Sequence, residues 1–354
     1  MRKLSCLLLA LLLLSLPAAA LSAASWALYD PLTGQLLRAC GADVRRGMAS
    51  TTKLMTALVA AERYDPARTV TVRPAWCGIE GSSMYLRAGE TLTVRALLCG
   101  LLLCSGNDAA AALAGLDGDP AAFVAQMNAR AAALRMADTH FDNPSGLDGA
   151  THYSTAHDLC LLAQAVLDVP LLREIVATRT VHMAGRWMQN HNRLLADDGV
   201  IGLKTGYTRS CGRCLVSAME RQGRTLIAVT LNAPDDWNDH RALYREAFAD
   251  MAPAALFAAG PCGRIPVAGS GTVGLYLTAG CTLALTPAER ARVRIRLCGP
   301  RLCYAGLRAG TRWGTARAEL DGTVICEQDI FYADNVPQPA PGFWEWLLRN
   351  CGIR

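Results

Sequence analysis

The sequence holds no apolar run of the length that a membrane-spanning helix needs. The longest run, Leu4 to Leu16, follows the short positive stretch Met1-Arg2-Lys3. It precedes small-residue cleavage sites at Pro17-Ala18-Ala19-Ala20 and Ser22-Ala23-Ala24. That pattern reads as an export signal cut between Ala20 and Ala24, with a retained signal anchor as the alternative. Cys6 lies too early for a lipoprotein signal. Strong charge is missing as well: the net value is +5, and +3 once Arg2 and Lys3 are removed. So mild a balance gives no reason to expect nucleic acid as a partner. There is no internal repeat. No second pair accompanies Cys211-Gly212-Arg213-Cys214, so a four-ligand zinc site is incomplete. Of the 14 cysteines, 13 remain after Cys6, an odd number without the spacing of a disulfide framework. Cys99, Cys160 and Cys326 sit in apolar stretches and read as buried small hydrophobes, although export leaves a disulfide open.

What is present suits one large domain and a smaller one. Trp26 to Arg38 alternates around Asp30-Pro31-Leu32-Thr33-Gly34 and reads as a hairpin. Helices are expected over 50–64, with Leu54, Leu58 and Ala61 on one face, and over 92–104, 108–116, 120–134, 154–167 and 241–251. Three successive antiparallel strands are expected over 201–206, 214–220 and 225–231. Beyond Ala259-Gly260-Pro261, short alternating segments separated by glycine turns read as a small all-β domain. Pro337, Pro339 and Pro341 then form a stiff spacer before Phe343-Trp344-Glu345-Trp346-Leu347-Leu348-Arg349.

Three short strings carry chemistry. In Ser50-Thr51-Thr52-Lys53, the serine and lysine lie one helical turn apart and share a face. A serine hydroxyl needs a neighbour to take its proton, and a lysine does so only when burial or another cation lowers its pKa. Lys204 is the candidate cation. Without the other strings, an N-cap serine beside a solvated lysine would explain the first equally well. In Ser105-Gly106-Asn107, the serine could relay a proton, Gly106 could allow a tight turn, and Asn107 could donate to a substrate amide and accept from Lys53. In Lys204-Thr205-Gly206, the strand could pair with an extended substrate, with Gly206 leaving room and Lys204 and Thr205 holding a carboxylate. The N–H groups of Tyr207 and Ser50 could form an oxyanion hole.

These strings resemble those of D-alanyl-D-alanine carboxypeptidases, the low-molecular-mass penicillin-binding proteins. The S-x-x-K and K-T-G signatures are common to penicillin-binding proteins and class A β-lactamases. The likeness extends to Met48 to Leu58, Glu80-Gly81-Ser82-Ser83-Met84-Tyr85-Leu86, Asn143-Pro144-Ser145-Gly146-Leu147-Asp148, His152 to Leu159, and Gly202 to Thr208. It covers 25–251 strongly and the later β segments loosely. It implies an α+β fold class: a penicillin-binding/β-lactamase-like domain, with an antiparallel sheet flanked by helices and a helical subdomain, followed by a small all-β domain. The expected organisation is a signal peptide over 1–24, a carboxypeptidase domain over 25–259, a β domain over 260–335, and a spacer with an amphipathic membrane anchor over 336–354.

The resemblance also implies roles: Ser50 as nucleophile, Lys53 as base, Ser105 and Asn107 as further catalysts, and Lys204, Thr205, Gly206 and Tyr207 as the substrate-binding strand. It implies peptidoglycan stem peptides ending in D-Ala-D-Ala as substrate, β-lactams as inhibitors, action outside the cytoplasm with peripheral membrane contact, and no metal or cofactor. Two departures matter. Many relatives carry histidine where Ser145 stands, and for the arginine that meets the substrate carboxylate Arg241 is the candidate, with a plain surface arginine as the alternative reading. A β-lactamase would need a deacylating glutamate, yet none occurs between Glu90 and Glu174, and Glu174 reads as part of an amphipathic helix. A D,D-endopeptidase or transpeptidase, or an inactive wall-binding scaffold, would use the same framework.

Overall fold

The computed structural model describes residues 21–269 and 271–337. The body of the expected export signal and the aromatic tail lie outside the described residues. The chain divides into two compact units, one of residues 1–220 and 225–246 and the other of residues 221–224 and 247–354.

The first unit is organised on a five-stranded sheet. Its strand order is Gln35–Cys40, Ser25–Asp30, Arg224–Leu231, Gly212–Arg221, Val200–Thr208. The hairpin expected around Asp30-Gly34 forms, with Asp30 accepting from the Leu32 N–H and the Thr33 hydroxyl to close the turn. The hairpin joining the third and fourth strands turns on Gln222 and Gly223, both at positive φ (49° and 78°), the backbone that matches strand twist in a two-residue loop.

The helix Lys53–Arg63 is buried from Lys53 to Ala60, and only its last residues reach the surface. A helix without a solvated face belongs in the middle of a core. This one contacts the helices Val94–Leu102, Asn107–Gly115, Pro120–Ala133 and Ala156–Leu167. Leu54 and Leu58 are fully buried there, and truncating either to alanine should cost about 2–5 kcal/mol. The rigidity of this packing matters because the helix carries Lys53. Thr155 caps Ala156–Leu167 by accepting from the Asp158 N–H. The helix expected from Arg241 starts earlier, at Asp236. Asp236 and Asp239 occupy its first turn, where carboxylates complement the helix dipole.

The second unit is mostly β. A five-stranded sheet has the order Gly260–Pro266, Thr272–Leu277, Thr323–Tyr332, Arg312–Leu320, Val293–Cys298. A separate pair joins Ala252–Phe257 to Cys281–Leu285. This pairing moves the expected boundary at Ala259-Gly260 back to Ala247, because the strand Ala252–Phe257 finds its hydrogen bonds inside the second unit. One short helix, Pro287–Arg292, interrupts the β structure. Thr286 and Glu289 form a reciprocal capping box and Pro287 opens the first turn. Cys326 is no simple buried hydrophobe: it forms a disulfide with Cys281. Cys99 and Cys160 are buried and free. No helix among the described residues is long and apolar enough to cross a membrane.

Candidate active site

Ser50 lies in a 3-10 turn, Ala49–Thr52, that runs directly into the buried helix beginning at Lys53. The turn opens with Ala49 in the left-handed region, φ 49°. Lys53 has no solvent exposure. Its Nζ lies 2.8 Å from Ser50 Oγ, 2.7 Å from Asn107 Oδ1 and 2.5 Å from the Ser145 carbonyl oxygen. Burial is the main cause that pushes Lys53 well below the ordinary lysine pKa. The charge on Lys204 pushes in the same direction, and Asp108 opposes them.

All three contacts of Lys53 Nζ are to oxygen, and two of these are carbonyl oxygens, which only accept. The Ser50 hydroxyl is the one partner that can also donate, so it is the group whose proton an amine of lowered pKa can take.

Asn107 also makes a bond that the sequence did not suggest. Its Oδ1 accepts from Lys53, and one of its two Nδ2 hydrogens goes to the Glu80 carbonyl at 2.5 Å. The amide ties the Glu80–Leu86 loop to the base. Asp108 reinforces the tie, accepting from the Ser83 hydroxyl and from the Met84 and Leu86 N–H groups. Ser105 takes the left-handed conformation itself, φ 58°. Gly106 has ordinary φ and is needed for space: a Cβ there would lie 2.7 Å from Asp108 Oδ1 and 3.1 Å from the Met84 nitrogen.

Lys204 is 1% exposed, and its Nζ donates to the Thr205 carbonyl at 3.0 Å. That bond uses one of the three N–H donors of an ammonium. Burial lowers its pKa to about 7. A Cβ on Gly206 would meet the Met48 oxygen at 3.0 Å and the Ser50 nitrogen at 3.1 Å. Glycine lets the strand Val200–Thr208 lie directly against the serine turn. Tyr207 follows it, with its side chain exposed.

A cavity of about 590 Å³ opens beside these groups, and its walls include Ser50, Ser105, Thr205, Gly206, Tyr207 and Arg213. Ser82, His191, Arg193, Asp236 and Trp237 also line it. Arg241 is absent from those walls. Its guanidinium is held by Asp197 at 2.7 Å and by Asn238 at 3.3 Å. The arginine that does line the cavity on the strand next to Lys204 is Arg213. Asp236 Oδ1 accepts from its Nε at 3.0 Å and its Nη2 at 2.7 Å, and the guanidinium lies 5.4 Å over the Trp237 ring. Arg213 was legible only as the middle of a C-x-x-C string, whose two cysteines are both free. Glu174 lies exposed on the helix Pro170–Ala177, paired with Arg95 at 2.5 Å and not on the cavity wall.

A family model described as D-alanyl-D-alanine carboxypeptidase matches residues 14–235. The D-alanyl-D-alanine carboxypeptidase DacD of Salmonella typhimurium is 38% identical over 229 residues, 60% of this chain and 59% of that protein. The alignment with that relative thus spans about three fifths of its length. The D-alanyl-D-alanine carboxypeptidase DacC of Escherichia coli is 30% identical over 366 residues, 94% of this chain and 89% of that protein. Among solved structures, DacD of Francisella tularensis superposes with a TM-score of 0.65 at 26% identity, covering 91% of this chain and 95% of the other.

Proposed function

Given that the chain belongs to the D-alanyl-D-alanine carboxypeptidase family, we propose that it removes the terminal D-alanine from peptidoglycan stem peptides through an acyl-enzyme on Ser50. The observation that carries this reading is the Lys53 environment. A buried amine, lowered in pKa and held by two carbonyl oxygens, lies 2.8 Å from the Ser50 hydroxyl oxygen.

The steps follow from these positions. Lys53 takes the Ser50 proton as Oγ attacks the carbonyl of the penultimate D-alanine. Negative charge develops on that carbonyl oxygen, where the N–H groups of Ser50 and Tyr207 stabilise it. The C–N bond breaks, and the departing amine receives a proton by way of Ser105. Water then attacks the Ser50 ester, with Lys53 again the base, and the shortened peptide leaves. Thr205 and Arg213 face the cavity and meet the substrate's terminal carboxylate. Lys204 acts through its field on Lys53.

A β-lactam follows the first half of this route, because its strained amide and carboxylate copy the two groups recognised. The acyl-enzyme should be long-lived, since Glu174 is committed to Arg95 away from the cavity. The reading places the mature protein outside the cytoplasm. There, 25–246 form the carboxypeptidase domain and the second unit follows. The aromatic tail at 343–349 makes peripheral membrane contact. Incubation with a peptide ending in D-Ala-D-Ala tests the reaction: free D-alanine should appear, and a peptide ending in L-alanine should be left intact. Equal release from both would sink the wall-specific reading.

A further inference from the structure

His152 and Thr52 form a buried hydrogen-bond chain that none of these steps uses. The Asp142 N–H donates to His152 Nδ1 at 3.0 Å, and His152 Nε2 lies 2.7 Å from Thr52 Oγ1. A backbone N–H can only donate, so Nδ1 is the acceptor and the ring proton sits on Nε2. Nε2–H therefore donates to Thr52 Oγ1. The threonine's own proton goes to the Ala49 carbonyl at 2.8 Å. The chain runs one way: Asp142 N–H to His152 to Thr52 to the Ala49 carbonyl. Both side chains are buried, His152 at 7% exposure and Thr52 at none. Burial lowers the imidazole pKa to about 4, so the ring stays neutral, as this chain requires, at ordinary pH.

The end point is informative. The Ala49 carbonyl shares a planar peptide unit with the Ser50 N–H. That carbonyl belongs to a residue in left-handed backbone, which surrounding contacts must maintain. The loop carrying His152 closes over it: Gly146 lies so near that a Cβ there would overlap the Ala49 oxygen. The same loop supplies the Ser145 carbonyl to Lys53.

Resting on the reading of Ser50 N–H as an oxyanion donor, we propose that His152 and Thr52 are positioning residues that fix and polarise the Ala49–Ser50 peptide. A hydrogen bond into the Ala49 carbonyl draws electron density from the amide and strengthens its N–H as a donor. It also sets the plane of the peptide, so the N–H points into the cavity beside Gly206.

The test is infrared spectroscopy of the Ser50 acyl-enzyme formed with a penicillin labelled with ¹³C at its β-lactam carbonyl. In Thr52→Val the ester carbonyl stretch should move to higher frequency. Acylation should slow roughly tenfold, less than the about 10²–10³-fold that follows loss of an entire oxyanion donor. The acylation limb set by Lys53 should stay at the same pH. Thr52→Ser, which keeps the hydroxyl, should restore both frequency and rate. If Thr52→Val does not fold, His152→Leu serves instead: it leaves the Thr52 bond to Ala49 in place but without its donor partner, so a smaller upward shift and a smaller slowing are expected. A folded variant with an unchanged stretch and rate would overturn the proposal. A wild-type protein that is not acylated at Ser50 would overturn the parent reading, and this inference with it.

Discussion

Lys204 lies near enough to Lys53 that a positive charge on it lowers the Lys53 pKa, and both amines are buried. Burial contributes more to that lowering than Lys204 does. The base must be neutral to work, so acylation should rise with pH through the Lys53 titration, on a limb below the ordinary lysine value of 10.5. Lys204→Gln removes the second cause and leaves the first. The limb should therefore move to higher pH without disappearing. The measurement is the pH dependence of penicillin acylation in both proteins. A limb that stays put or moves to lower pH would remove Lys204 from the tuning of the base.

Arg213→Gln should weaken use of D-Ala-D-Ala peptides. A hydrogen bond to a charged group contributes about 1.5–3 kcal/mol, which converts to roughly 10–100-fold in kcat/KM. Arg241→Ala should change kcat/KM by less than about twofold, because its guanidinium lies on Asp197 away from the cavity wall. Steady-state kinetics of the two variants, side by side, separate the cavity arginine from the one the sequence suggested. A large loss in Arg241→Ala with none in Arg213→Gln would reverse the assignment.

Asp108→Ala should destabilise the first unit by a few kcal/mol. It orphans the Ser83 hydroxyl and the buried Met84 and Leu86 N–H groups, and an unsatisfied buried donor costs about 1–3 kcal/mol. The Glu80 carbonyl would lose its fixed position beside Asn107, so acylation should fall as well. Denaturant unfolding gives the first quantity, and penicillin labelling of the folded fraction gives the second. A stability equal to that of the parent protein would show that the loop is held by other contacts.

The parts of the fold that sequence revealed best are those with strong local signals. The hairpin at Asp30, the buried helix from Lys53 and the strands around Lys204 each carry periodicity or turn chemistry within a few residues. Side-chain directions were hidden, because they depend on long-range packing. Lys204 donates to the Thr205 carbonyl, Asn107 ties the Glu80 carbonyl to Lys53, and Gly206 makes room for the serine turn. The boundary near Ala259 failed for a similar reason: the strand Ala252–Phe257 takes its partner from residues 281–285, about thirty positions on. The role of His152 was invisible in His152-Tyr153-Ser154-Thr155, since its partner, Thr52, lies 100 residues away.

The central claim is that Ser50 becomes covalently acylated with Lys53 as its base. The most direct measurement is incubation with a fluorescent penicillin, followed by proteolysis and mass spectrometry of the labelled peptide. The account predicts one label, on Ser50, lost in Ser50→Ala, and slowed by about 10²–10⁴-fold in Lys53→Ala, the range for a general base. Label persisting in Ser50→Ala, or wild-type label mapped to another residue, would contradict it.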